Sequence, residues 1–303
     1  MIPEFPIFKP LELADREDVM KYTSAFLPYS DFNFVSMWSW DTDYEFMIST
    51  LNNNLVVRFI DYISGDPFLS FIGNQELTKT IDTLLKYSQE IQIKPILKLV
   101  PNDVAMSLLK DDCEFFVQED RDSFDYLLMV EHMDGFKGNR LRGKRNFLKR
   151  CERMYSPEAR IVSLLDDEVK KEILNVAKEW MEERMKAGEI PNAKEFAAIS
   201  KLLSSGQIPN LIVVGVYIKG QMKGFVIGEL LPRGYAMLHF EKASSVDIVG
   251  IYAYLMHSFA AHLRTLGYQY INHEQDLGLI GLRKHKESLL PSMVKKYIVT
   301  RKK

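Results

Sequence analysis

Apolar and polar positions along the first half of the chain change period every few residues. Short alternating runs at 8–13, 44–50, 55–62 and 68–73 read as strands, with the turn Leu51-Asn52-Asn53-Asn54 joining the middle pair. Residues 15–26 read as a helix with Asp15 as its N-cap. The run 74–90 places Leu77, Ile81, Leu84 and Leu85 on one stripe with polar residues opposite, the signature of an amphipathic helix. A strand over 93–100, a short helix over 101–110 and strands over 113–118 and 124–130 follow. The second half repeats this succession: a basic helix over 135–154, a strand over 159–165, helices over 166–185 and 193–203, and a hairpin over 211–231 turning at Lys219-Gly220. Then come a strand over 235–243, a helix over 250–266 with apolar residues at 251, 255, 259, 263 and 266, a strand over 268–274, a short helix over 281–290 and a last strand over 293–300. The halves share no sequence repeat but share an order of elements. That order predicts an α+β fold of two tandem units, cut near residues 125–140 into 1–130 and 131–303. No linker rich in Pro, Gly or Ser marks the boundary, so the units are expected to pack tightly.

Composition adjusts this picture only a little. Of 303 residues 47% are hydrophobic and 12% aromatic, which suits substantial cores and excludes a disordered chain. A net charge of −2 excludes a uniformly polyanion-binding molecule, so any such role falls to a local patch. Cys113 and Cys151 form no CxxC pair, which points to a reducing compartment and to no structural zinc. His132, His257 and His262 have no metal-ligand spacing, and no metal is expected. The first residues carry prolines and acids rather than the basic and apolar segments of a signal peptide. No apolar run reaches the ~18 residues of a membrane helix. The expectation is a cytoplasmic protein, with a peripheral membrane role left open.

Three stretches carry a family resemblance: "HFEKASSVDIVGIYAYLMHSFA", "YINHEQDLGLIGLRKHKESLLPSMVKKY" and the basic "KGNRLRGKRNFLKRC". A strand, a loop with a helix and a second strand in this order resemble the GNAT acyltransferase fold. In that fold two parallel strands splay and the acyl donor enters the gap at the helix N-terminus. Together the three stretches, spread over 126–297, resemble the catalytic domain of bacterial phosphatidylglycerol lysyltransferases and the soluble relatives of that domain; "SDFNFVSMWSW" resembles an N-terminal segment of the same family. The resemblance implies two GNAT-like domains, the first degenerate and structural, the second holding the active cleft. It also implies an acyl or aminoacyl transferase akin to those that build peptidoglycan cross-bridges. The glycine-rich loop of ordinary CoA-binding members is missing: "SSVDIVG" stands in its place.

The ionisable residues gather where the strands of the second half end. Alternation puts Tyr235, Met237, His239 and Glu241 on one face of their strand and Tyr268, Tyr270, Asn272 and Glu274 on one face of the next, with His273 turned away. If the strands are neighbours, Glu241 and Glu274 share a cleft, and two close carboxylates raise one pKa toward neutrality. Glu241, Glu274 or His239 is then a general base, with Asp276 in the following turn; alternatively Asp276 caps the next helix and the glutamates pair with Arg283 or Lys286. Arg283 and Lys286, three apart, could hold a phosphate or carboxylate, while Lys284 and His285 are assigned to the surface. The run from Lys137 to Arg153 carries +7 in a chain of −2, so the rest carries −9. Within it Arg142, Lys144, Arg145 and Lys149 are candidate phosphate ligands, against the alternative of a solvated basic helix. Gly250 and Tyr252 open a helix whose N–H groups could bind a phosphate, unless Asp247 caps it.

These readings converge on direct acyl or aminoacyl transfer to an amine or hydroxyl, with a carboxylate base and no covalent intermediate. The donor is an aminoacyl-tRNA or an acyl-CoA, and the acceptor a small molecule, a peptide or a lipid headgroup. Two rivals remain: a CoA-dependent N-acetyltransferase of a small metabolite, and a binding protein on a GNAT scaffold without catalysis. Oligomeric state is not legible.

Overall fold

The computed structural model describes residues 1–110, 114–186, 188, 193–244 and 248–302; Cys113 and Asp247 lie outside the described residues. In chain order the elements are β1 (Lys9–Pro10), α1 (Arg16–Thr23), α2 (Phe34–Trp40), β2 (Met47–Leu51), β3 (Asn54–Ile60), β4 (Pro67–Ile72), α3 (Leu77–Glu90), β5 (Leu97–Pro101), α4 (Asn102–Lys110) and β6 (Phe115–Glu119). The chain continues with β7 (Asp125–Met129), α5 (Val130–Met133), α6 (Arg142–Tyr155), β8 (Glu158–Val162), α7 (Asp167–Lys186), α8 (Ala193–Ser204), β9 (Leu211–Ile218) and β10 (Gln221–Leu230). It ends with β11 (Tyr235–Ala243), α9 (Ile251–Thr265), β12 (Tyr270–Asn272), α10 (Ile280–Glu287), β13 (Ser292–Val294) and β14 (Lys296–Arg301).

Two mixed seven-stranded sheets result, one ordered β1-β2-β3-β4-β5-β14-β6 and the other β8-β9-β10-β11-β12-β7-β13. The fold is α+β, two GNAT-like units in tandem. The orders match strand for strand once β14 and β7 are exchanged. The strand expected to close the first half lies in the second sheet, and the strand expected to close the second half lies in the first. The contiguous division at 130/131 therefore does not describe the units. One comprises Met1–Asp125, Gln275–Arg283 and Met293–Lys303, the other Tyr126–Glu274 and Lys284–Ser292. Periodicity reports that a strand exists and which face it buries, but not which sheet accepts it.

In the first unit α3 lays Ile81, Leu84 and Leu85 against Val56, Leu69, Phe71, Leu97 and Val100 from the sheet. Asp15 occupies the N-cap position of α1, but its carboxylate accepts from Lys9 Nζ at 2.8 Å and from the Glu12 amide at 3.0 Å instead of from the helix. In the second unit α9 buries Ile251, Leu255, Met256, Phe259, Ala260 and Leu263. Gly228 in β10 admits α9: a Cβ there would stand 2.5 Å from Cζ of Phe259. The hairpin turns at Lys219-Gly220 as expected, both with positive φ (51° and 79°), the twist that two-residue hairpins require.

Candidate functional site

The second unit's parallel pair, β11 and β12, holds together over only three positions, Tyr235 with Tyr270, Ala236 with Ile271 and Met237 with Asn272. β11 then runs on to Ala243 while β12 ends. Past Met237 the gap between them is spanned by side chains. His239 is buried with Nδ1 3.5 Å from Glu274 and Nε2 3.7 Å from Glu229. Burial opposes its charged form, but hydrogen bonding to Glu229 and then Glu274 outweighs this and pushes the imidazole up to about 9. An imidazolium has no lone pair with which to accept a proton, so His239 does not suit the base role open to it from sequence.

Strict alternation fails just beyond β12. Glu274 adopts a left-handed φ of 54°, and its amide donates to Asn272 Oδ1 at 2.8 Å. Asn272 thereby closes this turn. The turn sends the Glu274 side chain to His239 and brings His273 Nε2 to 3.9 Å from Glu241. The pairing is crossed relative to the sequence expectation: Glu241 meets a histidine rather than a second carboxylate.

Glu241 nonetheless titrates abnormally. Its side chain is only 8% exposed, Oε1 has no hydrogen-bond partner among the described residues, and burial pushes the carboxyl up to about 7 against the pull of Lys242, Lys286 and Lys144. It reaches the raised value by desolvation rather than by carboxylate repulsion. His273 is held neutral, well below the usual histidine range, by burial and then by Lys286, His285, Lys242 and Lys144.

Glu241 lines a cavity of about 260 Å³ that lies wholly within the second unit. The start of α9 forms one wall (Gly250, Ile251, Tyr252, Ala253), α6 contributes Lys144 and Phe147, and the end of α10 contributes His285. The first N–H groups of an α-helix lack intrahelical acceptors and carry the positive end of its dipole. Gly250 is needed twice over. Its φ is +86°, and a Cβ would stand 2.2 Å from the Phe147 carbonyl oxygen, so α6 and α9 meet there with no room for a side chain.

Helix α6 has two faces. Lys144, Phe147, Leu148 and Cys151 recur at helical spacing; Leu148 and Cys151 are buried, and Lys144 and Phe147 line the cavity. Burial lowers the Lys144 ammonium pKa, with Glu241 acting in the opposite sense. Arg142, Lys149 and Arg153 are exposed and share the other face. Arg145 is spent on structure, donating to the carbonyls of Phe136 at 2.6 Å and Gly138 at 3.1 Å. The first turn of α6 holds Arg142, Lys144 and Arg145 and no acid, the reverse of what the dipole favours.

The remaining expected ligands are engaged elsewhere. Fully buried Asp276 accepts from Arg283 Nε at 2.9 Å and Nη2 at 2.7 Å, from Arg121 at 3.3 Å and from the Gly278 amide at 2.8 Å. Arg283 also donates to Asp122 at 2.6 Å. Both belong to the first unit and are engaged there in an ion-pair network, with Asp276 also holding the Gly278 amide in the turn that precedes α10. Lys286 is buried, donates to the His273 carbonyl and sits 5.8 Å from the Tyr126 ring centre, acting on Glu241 only through its field. Sequence reasoning turned His273 away from the cleft and assigned His285 to the surface; His285 is indeed exposed, but it also lines the cavity. His285 is four residues before Leu289, another cavity residue, and that i,i+4 relation was the available signal. Among the described residues no three His, Cys, Asp or Glu side chains converge as metal ligands, and no helix is long and apolar enough to cross a membrane.

Comparison with known proteins agrees with this fold. The chain resembles a conserved protein of unknown function from Bacteroides thetaiotaomicron, with 25% identity, full coverage of both chains and a TM-score of 0.84. It resembles L-PGS from Bacillus licheniformis, with 14% identity, 100% of this chain and 94% of that one covered, and a TM-score of 0.67. FemX aligns over 97% of each chain with 8% identity and a TM-score of 0.58. No curated protein matches the sequence. The family described as phosphatidylglycerol lysyltransferase, C-terminal, matches residues 25–300. With nearly its whole length accounted for in this way, the chain is a member of that family.

Proposed function

We propose that the cavity at the start of α9 is a site of aminoacyl transfer, with an aminoacyl-tRNA as donor and Glu241 as general base. The observation that carries this reading is the Glu241 carboxyl: buried, on a residue that lines the cavity, with Oε1 unpartnered among the described residues and its pKa pushed up to about 7. A base poised near the working pH is what proton abstraction from an incoming nucleophile needs. Family membership and the likeness to L-PGS support the reaction class.

In the reaction, an amine or hydroxyl of the acceptor attacks the aminoacyl carbonyl carbon and gives its proton to Glu241. The new C–N or C–O bond forms as the ester C–O bond to the terminal ribose breaks. The ribose oxygen then takes the proton from Glu241, which is regenerated. The N–H groups at the start of α9 are suited to the negative charge that develops on the carbonyl oxygen. His273 at 3.9 Å orients the carboxylate, and as a neutral imidazole it leaves the proton on Glu241. Arg142 and Lys149 on the exposed face of α6 hold donor phosphates, a use that accounts for cations at the wrong end of a helix dipole.

The test is transfer of a radiolabelled aminoacyl group from a panel of charged tRNAs to lipid and peptide acceptors, with acetyl-CoA as a parallel donor. Glu241→Gln should lower turnover by ~10²–10⁴-fold, the usual contribution of a positioned base. Turnover that survives this change, or that occurs only with acetyl-CoA, would refute the assignment.

A further inference from the structure

The cavity's charges bear on which group is transferred, an inference that rests on the reading above. Most of its wall is hydrocarbon, including Phe136, Phe147, Ile248, Ile251, Met256 and Leu289. Its volume of about 260 Å³ falls below the ~300–1,000 Å³ of pockets for drug-sized ligands, so it suits something as small as one aminoacyl group. Glu241 is the one carboxylate among the described lining residues, and Lys144 is the one lysine or arginine there. His285 lines the cavity but is exposed, and an imidazole carries no negative charge, so it offers no counter-charge to a cation.

We propose that this cavity accepts a neutral, largely apolar aminoacyl group, of the leucyl or phenylalanyl kind, and rejects one with a cationic side chain. Glu241 can meet at most one ammonium, the α-amino group that every aminoacyl ester carries. A second ammonium on the side chain would lie against hydrocarbon and Lys144. Unpaired charge in such a site is costlier than a misfitted methylene, so discrimination should be no less than the ~10-fold at the lower end of what shape alone supplies. Lys144 is therefore a specificity-determining residue. Its own partial burial is the cost of excluding cations.

Three stable donor fragments probe this: leucinamide, phenylalaninamide and lysinamide, with binding followed by ligand-observed NMR on the full chain. Leucinamide and phenylalaninamide should bind at least tenfold more tightly than lysinamide. Lys144→Met should narrow the gap by strengthening lysinamide binding, and Lys144→Gln serves if the methionine variant does not fold. Lysinamide binding as tightly as leucinamide in the wild type, or a gap unchanged in both variants, overturns the inference. If none of the amides binds, the cavity is not an aminoacyl site and both readings fall. Preferential transfer from lysyl-tRNA would overturn the specificity alone. The expected amide preference with no transfer from any charged tRNA would remove the transferase reading and leave the cavity's selectivity standing.

Discussion

The two units build the same short parallel strand pair and finish it in opposite ways. In the first, β4 ends in buried Phe71 and Ile72, and β5 carries buried Leu99 and Val100 near its end. In the second, β11 ends in His239 and Glu241 above a cavity. The first unit also buries charge, in a different manner. Lys296, fully buried, donates to Asp125 at 2.6 Å, to Ser30 at 3.1 Å and to Asp31. The Ser30 amide and hydroxyl both bind Asp125, at 2.8 and 2.6 Å, and Gln275 reaches Asp31 at 3.1 Å. That network closes on itself, whereas Glu241 Oε1 has no hydrogen-bond partner among the described residues. Buried charge alone thus says little about function; whether its hydrogen bonds are already met is the discriminating feature.

Breaking the closed network should give the largest effect. Lys296→Met leaves two buried carboxylates facing each other and should cost ~3–5 kcal/mol, read by urea unfolding. Adding Asp31→Asn and Asp125→Asn to that variant should recover part of the loss; no recovery would mean the charges are not the cause. Gly250→Ala comes next, since it sets a methyl against the Phe147 carbonyl at a left-handed φ. It should cost ~1–3 kcal/mol and impair amide binding with it.

Glu241→Gln should act on stability in the opposite direction. The folded carboxyl is raised from 4.5 to about 7, so the fold favours its neutral form. The wild type is at full strength below pH ~4.5 and loses stability as pH rises through about 7. At ~1.4 kcal/mol per unit, Glu241→Gln should be more stable than the wild type by ~2–4 kcal/mol at pH 8 and by nothing at pH 4. The groups that face Glu241 are His273, Lys144, Lys242 and Lys286, and His273 is held neutral, well below the usual histidine range, by burial and the nearby cations. A difference independent of pH would contradict the raised value. The smallest effect belongs to the exposed face of α6. Arg142→Glu with Lys149→Glu should change stability by under ~0.5 kcal/mol, yet weaken tRNA binding and flatten its salt dependence.

Much of this was legible in the chain. The apolar stripes of α3 and α9, the Lys219-Gly220 turn and the tandem order of elements follow from local periodicity, and local periodicity decided them. Glu241 was placed on the cleft side by alternation along β11, although the pairing of β11 with β10 shifts register at His239, so strict alternation does not run the length of the strand. Alternation misplaced His273 because β12 stops at Asn272 and the next residues turn through a left-handed φ. Arg283 and Asp276 read as site residues because their partners, Arg121 and Asp122, are over 150 positions away in sequence. The exchange of β7 and β14 left no local trace at all. Within α6 the helical period separates Lys144 from Arg142 and Lys149, but only the packing of α9 decides which face is inward.

The most direct test of the central claim is to follow the Glu241 side-chain carboxyl by ¹³C NMR through a pH titration, with Glu241→Gln for assignment, before and after addition of leucinamide. The account requires a midpoint near 7 that moves when the amide binds. A midpoint near ~4.3, the ordinary value for a solvated glutamate, unmoved by the amide, would show that this carboxyl is neither desolvated nor at the site.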